Sequence, residues 1–253
     1  MNTPRLTSII ILTFNELRFT KVCLECIRRY TPEPYELVVV DNASTDGTVE
    51  YLRGQKDIKL VINDKNNGFA KGCNQGIEIA AGDYILLLNN DTAVSPGWLG
   101  NMIVCLESDQ SIGIVGPRSN YVKEPQRLKV EYTTMDEIVS FSTQFNKVSD
   151  PSKWFELEMA VGFCMLIKRK VIDVVGLLDE QFGKGFFEDD DYCRRAKEKG
   201  FKIMCAGDTF VHHFGSASFI GNKIDYNRLE RENWIKYNAK WHKRRVIKRN
   251  IRK

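Results

Sequence analysis

The apolar positions of this chain change their period along its length. Ser8 to Thr13 is a β-branched run ending in Thr-Phe-Asn, and Leu37-Val38-Val39-Val40 is a second run stopped by Asp41-Asn42. Ile58 to Ile62 and Tyr84 to Leu88 repeat the pattern. Between these runs the spacing is helical. Phe19 to Tyr30 carries Val22, Cys23, Cys26, Ile27 and Tyr30 on one side, and Phe69 to Ala81 follows the third run. Ser44 or Thr45 is placed to cap a helix after the second run, with Asp46 and Glu50 in its early turns. Unbroken apolar strands separated by helices predict an α/β fold, with a Rossmann-like, mostly parallel sheet flanked by helices on both faces.

The second half is less regular. Gly116 to Lys153 is more polar and suggests an insertion or a loop over a crevice. Ala160 to Lys168 resumes as a strand, Val171 to Val175 is a short helix ended by Gly176, Asp189 to Lys199 is a polar helix and Phe201 to Cys205 another strand. Asp225 to Lys243 is an amphipathic helix with Leu229, Trp234, Tyr237 and Trp241. With no internal repeat and no low-complexity linker, the expected organisation is one α/β domain over 1–222 and a C-terminal helix with a basic tail over 223–253.

In such sheets ligands bind outside the carboxyl ends of the strands. Those ends are Thr13-Phe14-Asn15-Glu16, Asp41-Asn42-Ala43-Ser44, Asn66-Asn67-Gly68 and Asn89-Asn90-Asp91. A single Asn or Asp there is ordinary turn chemistry. Four in succession predict a shared polar crevice.

Composition narrows the partners. A chain of 253 residues with 43% hydrophobic and 28% charged residues suits one large globular domain. The net charge of +4 argues against a uniformly basic surface, so no nucleic-acid partner is expected. Basic residues crowd the end, where Lys243, Arg244, Arg245, Lys248, Arg249, Arg252 and Lys253 follow the last acid, Glu232. Such a tail suits contact with anionic lipid or with an anionic acceptor. Seven scattered cysteines do not form an even disulfide framework, and the Cys23-x-x-Cys26 pair falls in a helical stretch, which favours reduced, packed thiols. The polar N-terminus and the lack of any apolar run near ~20 residues predict a cytoplasmic protein, at most at the inner face of the membrane.

Five motifs in order carry a resemblance. They are Thr7 to Asn15 with Val38-Val39-Val40-Asp41-Asn42-Ala43-Ser44-Thr45-Asp46-Gly47-Thr48, then Asn67-Gly68-Phe69-Ala70-Lys71-Gly72-Cys73-Asn74-Gln75-Gly76, then Leu86-Leu87-Leu88-Asn89-Asn90-Asp91-Thr92, then Phe187-Glu188-Asp189-Asp190-Asp191-Tyr192-Cys193-Arg194-Arg195, and last His213-Phe214-Gly215-Ser216. Together they resemble glycosyltransferase family 2, which implies a GT-A fold and sugar transfer from a nucleotide-sugar donor to an acceptor hydroxyl, with inversion at the anomeric carbon. Each motif alone is weak.

The residues suit that chemistry. Asp41, at a strand end, can accept from the N3 hydrogen of a uracil-like base, a role the resemblance also implies. Thr13, Phe14, Asn15 and Glu16 beside it, with Asn42 and Asn90, would line the same pocket. Asn67-Gly68 permits close backbone approach, and Lys71 or Asn74 at a helix start would face the phosphates. A diphosphate leaving group needs its charge neutralised, which a divalent ion does as a Lewis acid. Mn²⁺ or Mg²⁺ prefers oxygen ligands, and Mn²⁺ accepts histidine. Asp91 is the first candidate ligand, because Asn89 replaces the first acid of the Asp-x-Asp that the family often carries. His213 is the second, ahead of His212, in a chain with only 3 histidines.

An acceptor hydroxyl has a high pKa and needs a base. Glu188 to Asp191 places four carboxylates at a helix start, where acids are also simply favourable. By resemblance Asp189 is the base and Glu188 contacts the acceptor or orients the base, while Asp191 and Arg194 are structural or face the phosphates. Trp154, Phe155, Phe163, Phe186 and Phe187 are candidates to stack on a sugar. UDP-sugars are the first expectation for the donor, with dTDP- and GDP-sugars next. The acceptor is a glycan, a lipid-linked glycan or a protein side chain. Three other classes compete: a non-catalytic nucleotide- or glycan-binding module, favoured by Asn89, a nucleotidyltransferase, disfavoured by the lack of glycine in Thr13 to Glu16, and a nucleic-acid binder using the basic tail, which the modest net charge disfavours.

Overall fold

The computed structural model describes residues 5–215 and 225–251, with side chains described as far as His242. Ser216, the 222/223 boundary and the basic side chains from Lys243 onward therefore lie outside the described residues. Strands and helices alternate through the first half: β1 (Thr7–Thr13), α1 (Leu17–Tyr30), β2 (Tyr35–Asp41), α2 (Thr48–Arg53), β3 (Ile58–Ile62), α3 (Phe69–Ile79) and β4 (Tyr84–Asn89). There follow β5 (Thr92–Ala93), α4 (Trp98–Glu107), β6 (Ile112–Arg118), α5 (Met135–Phe145), β7 (Phe155–Glu156), β8 (Cys164–Lys168), α6 (Arg169–Val175), α7 (Glu188–Glu198), β9 (Lys202–Phe210), β10 (His212–His213) and α8 (Tyr226–Ile251).

The main sheet has the order β3-β2-β1-β4-β8-β6-β9-β7. Strands β3, β2, β1 and β4 are parallel, as their unbroken apolar runs predict. Successive side chains point to opposite faces. Ile9, Ile11, Leu37, Val39 and Leu86 meet α1 and α4, while Ile10, Val38, Ile85 and Leu87 meet α3, α6 and α7. Both faces are thus covered by helices. Among the described residues no helix is long and apolar enough to cross a membrane.

Strand β8 breaks the parallel pattern. It runs antiparallel to both β4 and β6, with Leu88 opposite Cys164. Its beginning therefore lies at the same sheet edge as the ends of β1, β2 and β4, and Asn89 N–H donates to the Phe163 carbonyl at 2.8 Å. Strand β10 returns to that edge and pairs antiparallel with β5, His213 opposite Thr92.

Two expectations of local structure change, and one helix was not anticipated. The second helix starts at Gly47, not at Ser44 or Thr45. The hydroxyl of Ser44 instead donates to Asp41 and accepts from the Asn15 N–H. The polar stretch after Gly116 contains a regular helix, α5, started by a reciprocal Thr134–Glu137 capping box. Helix α4 was hidden because it is apolar on most sides, with Trp98, Leu99, Met102, Cys105 and Leu106 all buried.

Gly68 joins the two halves. It sits at φ +89°, and a β-carbon there would collide with the Gly183 carbonyl oxygen, which accepts from the Phe69 N–H at 2.9 Å. Gly68→Ala is expected to lower Tm by roughly 4–8 °C, for ~2 kcal/mol lost at a positive φ in a chain of this size. A thermal melt checks it.

Candidate active site

The strand ends enclose a cavity of about 410 Å³. Phe14, Asn42, Gly68, Asn90, Asp91, Glu188, Asp189 and His213 line it, so the sheet brings together eight residues singled out from the sequence. Phe163, Phe186 and Phe187 line it too. Trp154 and Phe155 do not. The indole N–H of Trp154 donates to Asp208 at 2.8 Å, and Phe155 lies in β7 at the far edge of the sheet.

On one wall, Asp91 Oδ1 stands 3.1 Å from His213 Nε2. The ring is held from every side. Its Nδ1 donates to the Tyr121 carbonyl at 2.9 Å, since a carbonyl can only accept. Phe163 stacks on it with centroids 5.0 Å apart. The Asn120 amide clasps the His213 main chain, accepting from its N–H and donating to its carbonyl, each at 2.9 Å. In the Nδ1–H tautomer the Nε2 lone pair faces the Asp91 carboxylate. Two electron-rich atoms at this distance suit a cation between them. Bonds of ~2.1 Å to neighbouring corners of an octahedron place ligand atoms ~3.0 Å apart, so the pair fits a divalent ion. No group of three or more His, Cys, Asp or Glu gathers among the described residues. Adjacent strand residues face opposite ways, and His212 turns away to Tyr132, 2.6 Å from its hydroxyl. Burial lowers its pKa to about 4.

The opposite wall is acidic. Glu188 is 6% exposed, and its Oε2 has no hydrogen-bond partner among the described residues. Burial first, and then the neighbouring Asp189, push its pKa well above the carboxylate range. Burial also raises Asp189, but its Oδ2 accepts from the Gly162 N–H at 3.0 Å and its Oδ1 from the Asp190 N–H at 2.9 Å. These donors favour the charged form, so a proton shared by the pair belongs on Glu188 while Asp189 stays ionised. Burial and Asp189 push Asp190 up to about 7. Asp191 has a different role. It is fully buried between Arg195 at 2.8 Å and Lys240 at 2.6 Å, and it accepts from the Trp241 indole at 3.0 Å. Arg194 lies 4.1 Å over the Trp241 ring. Both therefore anchor α7 to α8, and neither lines the cavity.

The side expected from the sequence to hold a nucleotide is more closed than that expectation. Asp41 is fully buried, and its carboxylate accepts from Thr13 Oγ1 at 2.8 Å, Ser44 N at 2.9 Å and Ser44 Oγ at 2.5 Å. Asn15 completes the staple by accepting from Thr45 N at 2.7 Å. Thr13, Asn15, Glu16, Asp41 and Asn67 do not line the cavity. Asn74 is a correction: its amide donates to the Leu178 carbonyl and to Glu180, and accepts from Leu178 N, so it faces the core and not a phosphate. Lys71 is exposed and also outside the lining. The cations that do line the cavity are Lys123, Arg127 and Lys184. The first two fall in the polar stretch flagged as a loop over the crevice. Nothing in their spacing distinguishes them from surface lysine and arginine. The Cys23-x-x-Cys26 pair is packed inside α1 as expected, and burial pushes the Cys23 thiol up to about 12.

A parallel α/β half, a mixed second half and a cavity with an Asp–His pair facing an acidic helix start define a GT-A architecture. The fold aligns with a mannosyltransferase from Pyrobaculum calidifontis in complex with GDP-Man and Mn²⁺, at TM-score 0.62 and 22% identity, over 84% of this chain and 57% of that one. It also aligns with GalNAc-T7 bound to UDP, GalNAc and Mn²⁺, at TM-score 0.65 and 15% identity, over 84% and 44%. The family profile "Glycosyl transferase family 2" matches residues 8–176, and the chain belongs to that family. Among curated relatives, the hyaluronan synthase of Pasteurella multocida is 33% identical over 117 residues, 44% of this chain and only 12% of its own length. The glycosyltransferase YwdF of Bacillus subtilis is 25% identical over 212 residues, 83% of this chain and 75% of its own.

The buried Glu188 carboxyl has a thermodynamic signature. A carboxyl whose pKa rises on folding takes up a proton, so stability falls as pH climbs from the ordinary carboxylate range towards the raised value. Glu188→Gln is expected to raise Tm at pH 8 by roughly 2–4 °C for each ~1 kcal/mol relieved, and to leave it unchanged at pH 4. Parallel melts at the two pH values check it.

Proposed function

We propose that this chain transfers a sugar from a nucleotide-sugar donor to an acceptor hydroxyl, with inversion, using Asp189 as general base. The observation that carries this reading is the placement of the Asp91–His213 pair and the Glu188–Asp189 pair on the walls of one cavity. When bound, a divalent ion held by Asp91 and His213 supplies charge neutralisation for the departing diphosphate. Mn²⁺ is the first choice because a histidine is in the ligand set, with Mg²⁺ second. Lys123, Arg127 and Lys184 add positive charge around the same space. The acceptor oxygen bonds to the anomeric carbon as the bond to the diphosphate breaks, and its proton passes to the Asp189 carboxylate. Two N–H groups hold that carboxylate in one orientation, as a base aimed at a single proton requires. Glu188, carrying its proton, donates to the acceptor. A single displacement fits, because the three cavity-lining carboxylates all have roles in it and none is left as a nucleophile.

UDP-sugars remain the first candidates, with dTDP- and GDP-sugars behind them. The Asp41 contact with a base requires the Ser44 hydroxyl to turn aside. Calorimetric titration of UDP, dTDP and GDP with Mn²⁺, then with EDTA, selects among them. Metal-dependent binding of one nucleotide supports the reading, and binding of none overturns it. Asp91→Ala is expected to abolish the metal-stimulated part of binding. Asp189→Asn is expected to lower turnover by ~10²-fold or more while leaving nucleotide binding within about twofold.

A further inference from the structure

The family match ends at residue 176, yet a residue far beyond it holds the wall that presents the base. Asn233 is fully buried in α8, a helix whose neighbouring residues Glu232, Trp234 and Ile235 are exposed. Its two amide protons go to two main-chain carbonyls, Phe182 at 2.5 Å and Gly185 at 2.7 Å. Its own carbonyl accepts from Lys236 Nζ at 2.9 Å, and that ammonium also reaches the Gln181 carbonyl at 2.8 Å. One side chain thus ties the helix to both ends of the Gly183-Lys184 step.

The tied segment is strained. Gly183, Gly185, Phe186 and Phe187 all have positive φ, at 63°, 138°, 72° and 72°. A left-handed conformation is easy for glycine and unfavourable for phenylalanine, so the last two residues must be held by their surroundings. The same segment supplies Lys184, Gly185, Phe186 and Phe187 to the cavity and leads directly into Glu188 and Asp189. The Gly183 carbonyl also accepts from the Phe69 N–H, which fixes this wall against Gly68 opposite. The α8 helix grips the far side as well, through Tyr226 against Phe186 with centroids 4.5 Å apart and through Lys240 and Trp241 on Asp191.

We infer that Asn233 is a positioning residue for the transfer step. Its two hydrogen bonds keep residues 183–187 in their left-handed path, and that path sets where Asp189 meets the acceptor proton. The inference rests on the reading of Asp189 as base. It makes α8 part of the catalytic unit and predicts a split between chemistry and donor binding, because Asp91 and His213 are held by other elements. A displacement of the order of 1 Å costs ~10²-fold in rate where groups must be aligned.

The test uses the full chain and three readouts. Asn233→Ala is compared with the unaltered protein by hydrogen–deuterium exchange, by titration of UDP and GDP with Mn²⁺, and by release of UDP from UDP-glucose or GDP from GDP-mannose with water as acceptor. The expected result is roughly tenfold faster exchange confined to residues 182–191, nucleotide affinity within about twofold, and turnover lower by ~10- to 100-fold with KM for the donor little changed. Asn233→Gln, which keeps both amide donors, is expected to recover at least ten of every hundredfold lost. Unchanged exchange over 182–191, or unchanged turnover, overturns the inference, as does an equal loss of nucleotide binding and turnover. If the alanine variant does not fold, Asn233→Ser, with one donor, is measured in its place against the same criteria. If the unaltered protein binds none of UDP, dTDP and GDP, the functional reading fails first. The exchange measurement then still decides whether Asn233 holds the loop.

Discussion

Two adjacent carboxyl groups, buried Glu188 and half-buried Asp189, stand at the start of a helix, and much of the second half of the molecule exists to keep them there. Burial disfavours the charge of both, and the charge on Asp189 makes ionisation of Glu188 harder still. A helix N-terminus eases this with its free N–H groups, but it does not set where the carboxylates point. The direction comes from three places: the Gly162 N–H on Asp189, the left-handed path of Phe186 and Phe187, and the helix α8 packed behind them. The neighbouring Asp191 shows how different the same residue type becomes one position on. Paired with Arg195 and Lys240, it serves as an internal tie.

The opposite wall obeys the same economy of charge. Asp91 and His213 lie 122 residues apart in sequence and meet because β10 pairs with β5 at the edge where β4 ends. The antiparallel β8 matters equally. Reversing one strand brings Val161, Gly162 and Phe163 to the edge otherwise built from carboxyl ends. Phe163 then stacks on the histidine and the Gly162 N–H donates to Asp189, so one short turn supports both walls.

The chain's pattern made the first half of the fold and the polar strand ends legible. Continuous apolar runs such as Leu37 to Val40 have no other stable place than a sheet covered on both faces. Asp91, His213, Glu188 and Asp189 stood out because carboxylate and imidazole chemistry is specific to few residue types, and all four line the cavity. Asn74 was misplaced for the opposite reason. A position at a helix start says that a side chain is near a strand end, but not which way it turns. Asn74 turns to Leu178, more than a hundred residues later, and no local signal carries that. Lys123 and Arg127 were invisible because cations are common on every surface, and only tertiary contact separates one that lines a cavity.

What the sequence by itself determined is the set of elements and the chemistry available at their ends, since both follow from side-chain period and type. What only the tertiary structure decided is which of those ends share a space and which side chains are already occupied. Asp41 has a carboxylate suited to a nucleobase, yet Thr13 and Ser44 bind it in the folded chain. Asn233 is unremarkable in its helix, yet it binds two carbonyls beside the acidic wall. Hydrogen bonding is a matter of distance and direction between residues remote in sequence, and the chain's pattern holds neither until it is folded.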